Sequence, residues 1–223
     1  MQVLGAAHRH LFGSPRAWVR ALAECTMRQH GLRPGAFQSV HIRLSAEKAV
    51  EVAKARREMP SVSHFALIAR ALASASGLAD AFVQTASPAA LANLSLALSG
   101  GALRLSHTRN QRYEGDAWGG WVSDPQVITT QTAVAAVNAY ISQQAAALVS
   151  PSISIWTTFL GYLMARGPNS TRTASFTCRS PHGPRVRVGY VRVVLAKDHP
   201  TQLSALRTAV ATLAGPGRLC KPV

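Results

Sequence analysis

Cysteine and acidic residues are both scarce in this 223-residue chain, and each scarcity removes a class of protein. The three cysteines, Cys25, Cys178 and Cys220, lie far apart and form no CxxC pair. A disulfide framework or a zinc ribbon needs cysteines paired at short spacing, so we expect neither, and we expect a reducing compartment. The nine Asp and Glu residues are too few to suggest a two-metal nuclease or polymerase site.

The common catalytic and nucleotide-binding motifs are missing as well. The chain contains no Walker A phosphate loop, no glycine-rich dinucleotide fingerprint, no HExxH and no GxSxG. We therefore expect no enzymatic activity, no catalytic residue, no metal, no cofactor and no small-molecule substrate. An enzyme with an unrecognised site remains an alternative.

Charged residues are missing from one long segment, 125–165, which lies between Asp124 and Arg166. Pro151 interrupts its most apolar part, and its first half is rich in Thr, Gln and Asn. A membrane span needs about 20 consecutive, mostly apolar residues, so a spanning helix is not expected. We expect two buried helices here whose uncharged faces contact other subunits. The alternative is a membrane-associated structural protein that uses this segment.

Basic residues are abundant: 24 Lys and Arg residues oppose nine acids and give a net charge of +15. Twenty of the 24 are arginines. The hydrophobic fraction of 48% rules out a disordered basic tail, because such tails are poor in apolar residues. The excess is concentrated in residues 125–223, where ten basic residues oppose Asp198 alone. Phosphate polymers and anionic membranes are the partners that such a charge attracts.

Helix-start signals recur along the chain and predict a mainly α fold. Serine or aspartate followed by proline is typical of an N-cap and first helical position, and it occurs at Ser14, Ser87, Asp124 and Ser150. We expect a compact body of about six to seven helices, with short extended segments near 37–44 and 185–195, where polar and apolar residues alternate. The expected organisation is a helical core (1–166), an Arg-rich loop and strand arm (167–197) and a C-terminal helix and tail packed on the core (198–223), in a single domain overall.

The arginines of the late segment are the strongest candidates for contacting nucleic acid. They occur without an intervening acid in a stretch rich in Ser and Thr. Guanidinium groups bind phosphate oxygens in two-point hydrogen bonds, and hydroxyls also donate to phosphates. The predicted RNA-binding residues of this segment are Arg166, Arg172, Arg179, Arg185, Arg187 and Arg192.

A second basic cluster adjoins aromatic side chains on a glycine-rich loop. Its arginines are Arg104, Arg109 and Arg112, and the neighbouring aromatics are Tyr113, Trp118 and Trp121. Aromatic rings beside arginines can form a platform on which bases stack. The two tryptophans could equally anchor the loop to the body or to another subunit.

Taken together, the chain resembles the proline-alanine-serine-rich proteins of polymycoviruses, fungal double-stranded RNA viruses without a conventional icosahedral shell. The resemblance is compositional and covers the whole chain. It is carried by residues 71–100, residues 144–155 and the arginine-bearing stretch 171–187. The family is noted for a flexible arginine-bearing segment, which Arg172, Arg179, Arg185 and Arg187 would match.

The resemblance implies a structural protein that coats or packages viral RNA. We accordingly expect a protein of the virion or of a ribonucleoprotein in the host cytoplasm, with RNA and further copies of itself as partners. The uncharged segment 125–165 and the Ala/Leu/Ser stretch 81–103 are the candidate subunit contacts. Binding is expected to neutralise phosphates without reading base sequence.

Overall fold

The computed structural model describes residues 15–43, 53, 57–101, 103–109, 125–151, 155–164, 171–178, 187–188, 191–196, 199–214 and 220–222. These residues form an α/β fold, with helices packed against a mixed β-sheet. The expectation of a mainly α body built from six to seven helices is therefore wrong, because a seven-stranded sheet, and not helix-on-helix packing, forms the centre of the described fold. Strands do occur in the two segments where alternation predicted them, at Gln38–Ile42 and Val191–Ala196.

The elements follow one another in an order that alternates strands with helices. The described helices are α1 (Ala17–Gln29), α2 (Val62–Ser76), α3 (Pro88–Leu98), α4 (Pro125–Gln143), α5 (Ile155–Met164) and α6 (Leu203–Ala214). The described strands are β1 (Gln38–Ile42), β2 (Arg57–Glu58), β3 (Asp80–Thr85), β4 (Arg104–Ser106), β5 (Ala147–Pro151), β6 (Thr171–Cys178), β7 (Arg187–Val188), β8 (Val191–Ala196) and β9 (Cys220–Pro222).

Seven strands form the main sheet in the order β4-β3-β1-β5-β8-β6-β9. Strands β4, β3, β1 and β5 are parallel, whereas β5–β8, β8–β6 and β6–β9 are antiparallel pairs. Strands β2 and β7 form a separate parallel pair. Parallel neighbours need a crossover, and α2, α3 and α4 occur in the chain between successive parallel strands.

Helices cover both faces of the main sheet. Side chains of α1, α4 and α5 pack with Phe82, Leu148 and Val194 on one face, which we name face A. Side chains of α2, α3 and α6 pack with Val40, Val83 and others on the opposite face, named face B. The result is a three-layer arrangement in which the central strands are buried on both sides.

Strand β3 shows why the helical expectation failed. Its sequence DAFVQT does not alternate clearly between polar and apolar residues, so alternation predicts no strand there. Its four middle residues, Ala81 to Gln84, are all buried, since each face of the sheet is covered by helices. A strand buried on both faces reads as a continuous apolar run and cannot be distinguished from a helix by periodicity.

The uncharged segment 125–165 contains a strand as well as helices. Helix α4 begins at Pro125 as predicted, but residues 147–151 form β5, and Ser150-Pro151 ends that strand instead of starting a helix. All five residues of β5 are buried in the centre of the sheet. Among the described residues, no helix has the length and apolar character needed to cross a bilayer.

A buried group of three polar side chains joins β1, β3 and α4 on face A. The hydroxyls of Ser39 and Ser142 lie 2.8 Å apart, and Gln84 Nε2 donates to both. All three residues are buried. Buried polar groups are stable only when hydrogen-bonded, so this group defines the position of α4 across the two strands.

Replacing Gln84 with methionine keeps the side-chain length but removes the donor to both hydroxyls. We expect Q84M to lower the free energy of unfolding by about 1–2 kcal/mol, as loss of buried hydrogen bonds does. Urea unfolding followed by circular dichroism measures the change. Gln29→Met on the exposed side of α1 is the matched control and should change stability by less than about 0.5 kcal/mol. Equal effects of the two variants would contradict a stabilising role for this group.

Candidate nucleic-acid interface

Several of the predicted RNA-binding residues lie outside the described residues. These are Arg112, Arg166, Arg179 and Arg185, together with the aromatics Tyr113, Trp118 and Trp121. Arg187 belongs to β7, where its Cα is paired with that of Arg57. The structure describes the side chains of Arg104, Arg109, Arg172 and Arg192.

Arg172 and Arg192 lie on opposite faces of the sheet. Arg172 on β6 is paired with Leu195, which belongs to the face B core. Arg192 is two residues from Val194, which belongs to face A, and side chains two apart on a strand share a face. The two arginines therefore do not form one continuous basic row.

Arg172 is hydrogen-bonded to the segment that precedes α6. Its Nη2 donates a hydrogen bond to the backbone carbonyl of His199, and its Nε is buried without a partner among the described residues. Burial and the charge of Arg172 both lower the pKa of His199, burial having the larger effect. This guanidinium is already engaged with the backbone and is only partly exposed.

Replacing Arg172 with methionine should therefore destabilise the fold. We expect a loss of about 1–2 kcal/mol in the free energy of unfolding, because a hydrogen bond from a charged donor is removed. Thermal and urea unfolding measure it. Arg207→Met removes the same charge from the exposed side of α6 and serves as the control with little effect. A stable R172M variant would show that the contact with His199 contributes nothing.

A cluster of basic side chains lies beside the edge strand β4, and we name it the edge cluster: His30, Arg104, His107 and Arg109. Burial lowers the pKa of His30 most, and the charges of His107 and Arg109 lower it further, which places the three groups close together. A Cβ added at Gly31 would lie 3.7 Å from Nη2 of Arg104, so the turn after α1 runs beside that guanidinium. Gly31 has a φ of 66°, a left-handed conformation that favours glycine.

Arg104 differs from the other members because it is paired with an acid. Its Nε donates to Oδ1 of Asp80 across 2.6 Å, at the start of the paired strands β4 and β3. Its side chain is 65% exposed, so solvent weakens the pair and it adds little stability. The pair neutralises Asp80, and among the described side chains Arg109 has no such acidic neighbour.

Exposed basic side chains far outnumber acidic ones in the described part of the chain. Glu24 and Asp80 are the acids whose side chains are described, and Asp80 is bound to Arg104. Many arginines are exposed in the same part of the chain: Arg16, Arg20, Arg28, Arg33, Arg70, Arg104, Arg109 and Arg207. Their excess gives the described surface a positive potential that attracts polyanions.

The sequence predicted two members of the edge cluster and missed the other two. Arg104 and Arg109 were assigned because they adjoin aromatic residues in the sequence, whereas His30 directly follows α1, more than 70 positions earlier in the chain. No local pattern marks a contact over that separation. His107 was visible beside Arg109, but a single histidine near arginines gives no distinct signal.

His41 on β1 is a second histidine that the sequence did not single out. It is buried on face A, and burial, with the charge of Arg43 as a smaller cause, lowers its pKa to about 3. The imidazole is therefore neutral at physiological pH. In the unfolded chain the same group has a pKa near 6.5.

This difference makes folding sensitive to acid. Between pH 6.5 and 3 the unfolded state binds a proton at His41 that the folded state does not, so stability falls as pH falls, with a slope of up to about 1.4 kcal/mol per pH unit. We expect His41→Gln to lose this part of the dependence. Urea unfolding at several pH values from 7 to 4 measures the two slopes. Identical slopes for both forms would contradict the depressed pKa.

No protein-family model matches the chain, and no curated protein matches it. Among the described residues, no group of three or more His, Cys, Asp or Glu side chains is placed to hold a metal ion.

Proposed function

We propose that the protein binds RNA without sequence preference and self-associates on it as a non-enzymatic coat or packaging protein. The edge cluster is the observation that carries the proposal. It gathers His30, His107 and Arg109 beside an exposed turn, and Asp80, the acid that contacts the cluster, is bound by Arg104. The guanidinium of Arg109, which no described acid neutralises, and the imidazole N–H groups beside it suit phosphate oxygens.

The lowered pKa of His30 supports the same interpretation. Positive neighbours make it harder to protonate His30, so part of the shift reports a positive local potential. A bound phosphate would offset that potential and favour protonated His30. RNA binding should therefore raise the pKa of His30, and affinity should increase as pH falls through its titration range.

Self-association is included because coating a polymer requires contacts between copies. Four large apolar side chains are exposed on the described helices: Trp18 and Leu22 on α1, Leu96 on α3 and Leu213 on α6. Leu96 belongs to the stretch 81–103 that composition favoured as a subunit contact. The compositional resemblance to polymycovirus proteins supports viral genomic RNA as the partner and a ribonucleoprotein in the host cytoplasm or the virion as the setting.

Replacing Arg33 and Arg109 with glutamine tests the interface. Arg33 is exposed in the turn that follows His30, and Arg109 belongs to the edge cluster. We expect R33Q/R109Q to weaken binding of duplex RNA about tenfold or more and to lower the slope of log affinity against log salt by up to about 1.8, since each lost phosphate contact removes about 0.9. Fluorescence anisotropy at four salt concentrations measures both quantities.

The matched control removes two exposed arginines from elsewhere. Arg20 lies near the start of α1 and Arg207 lies on α6. R20Q/R207Q has the same net charge as R33Q/R109Q, so a localised interface predicts a much smaller loss of affinity. Equal losses would mean that the whole surface acts and the edge cluster has no special role. No RNA binding by the unaltered protein at low salt would overturn the proposed function.

A further inference from the structure

The order of the parallel strands reverses at β1, in the middle of the sheet. From β1 the chain proceeds to β3 and β4 on one side, and it then returns to β5 on the other side of β1. Helices α2 and α3 lie on face B, whereas α4 and α5 lie on face A. In open α/β sheets such a reversal opens a crevice outside the carboxyl ends of the two strands concerned, and ligands bind there.

A row of polar side chains crosses face A near these carboxyl ends. Gln84 is paired with His41, and extending the register of β1 and β5 by one residue places Ser150 on the other side of His41. Ser150 is paired with Arg192 on β8, and Arg192 is paired with Ser175 on β6. Paired residues on one face have Cβ atoms about 5 Å apart.

The neighbouring row, away from the carboxyl edge, is half apolar. Phe82, Leu148 and Val194 pack beneath the face A helices, and the polar residues of the row are Ser39, whose hydroxyl is bonded to Ser142, Ser106 and Thr173. Polar character therefore increases toward the edge at which the crevice opens.

The charges at this edge favour an anion. Arg43 follows β1 directly and is close enough for its charge to lower the pKa of His41, and Arg192 is partly exposed. Asp80 lies at the opposite, amino-terminal end of β3, where Arg104 binds it. Within the described part of the chain, no carboxylate is in salt-bridge range of Arg43 or Arg192.

Ser150 supplies a further, independent observation. Its side chain is fully buried, and its hydroxyl has no hydrogen-bond partner among the described residues. A buried hydroxyl without a partner destabilises the fold, so such a group is uncommon unless something else binds it. It is adjacent to Arg192 across the β5–β8 pair.

We propose that this crevice binds the phosphate of a small phosphorylated molecule, such as a nucleoside phosphate. Arg192 and Arg43 supply the positive charge, and the Ser150 hydroxyl donates to a phosphate oxygen. The site is distinct from the edge cluster and does not depend on RNA binding. No covalent step is involved.

Calorimetric titration of the full chain, without RNA and at fixed ionic strength, tests the proposal. The probes are inorganic pyrophosphate, ADP and adenosine. We expect saturable one-site binding of pyrophosphate and ADP and none of adenosine. Arg192→Met should weaken the binding of both anions at least tenfold, because the charge is lost while the aliphatic stem is kept. Absence of saturable binding of either anion at millimolar concentration would overturn the proposal.

Two matched variants separate binding from general effects. Arg207→Met removes an equal charge from an exposed position on α6, the helix that packs on face B, and should leave anion affinity unchanged. If R192M and R207M weakened anion binding equally, the effect would come from overall charge, and the proposed site would be wrong. Near-ultraviolet circular dichroism verifies that each variant is folded.

Ser150→Ala gives a readout that a structural role would not produce. The variant removes an unpartnered hydroxyl, so its Tm should be unchanged or higher while its anion affinity falls severalfold. Thr201→Val removes another buried hydroxyl that lacks a partner among the described residues, and it should leave affinity unchanged. A lower Tm with unchanged affinity in S150A would assign Ser150 to packing and contradict its role. RNA affinity, measured in parallel, reports the edge cluster separately.

Discussion

Burial of the central strands on both faces controls how polar groups are arranged in this protein. All five residues of β1 are buried, including Gln38, Ser39 and His41. Each polar side chain placed there must be hydrogen-bonded or neutral, because the interior does not solvate it. Ser39 is bonded to a helix, and His41 has a pKa far below its usual range. Helix placement and acid sensitivity both follow from this one constraint.

The same constraint separates the charges of the sheet between its edges. The Arg104–Asp80 pair lies at the amino ends of β4 and β3, whereas Arg43 and Arg192 lie where β1 ends and β8 begins. The described carboxylates are too few to neutralise both edges. The positive potential is therefore localised, and the two proposed sites, for RNA and for a small phosphate, use different parts of it.

Helix starts were predictable because capping is a local interaction. Ser87 accepts a hydrogen bond from the Ala90 backbone, and Pro88 occupies the first position of α3, as the Ser-Pro pair indicated. Helix α4 begins at Pro125, where the Asp-Pro pair predicted a helix start. The strands β3 and β5 escaped prediction, because their environment is created by helices on both faces and leaves no alternation in the sequence.

Net charge, the shortage of acids and the lack of catalytic motifs follow from composition and short-range patterns, and no structure is needed to establish them. Which arginine is available for a ligand is decided only by the tertiary structure. Arg172 and Arg192 look equivalent in the sequence, yet strand pairing places one against a backbone carbonyl under α6 and the other at the edge of the opposite face. Strand order and register depend on contacts between residues that are distant in the sequence. Such contacts also bring His30 near Arg109. The physical reason is that the availability of a charged side chain to a ligand depends on its neighbours in space, whereas composition records only the number of charges.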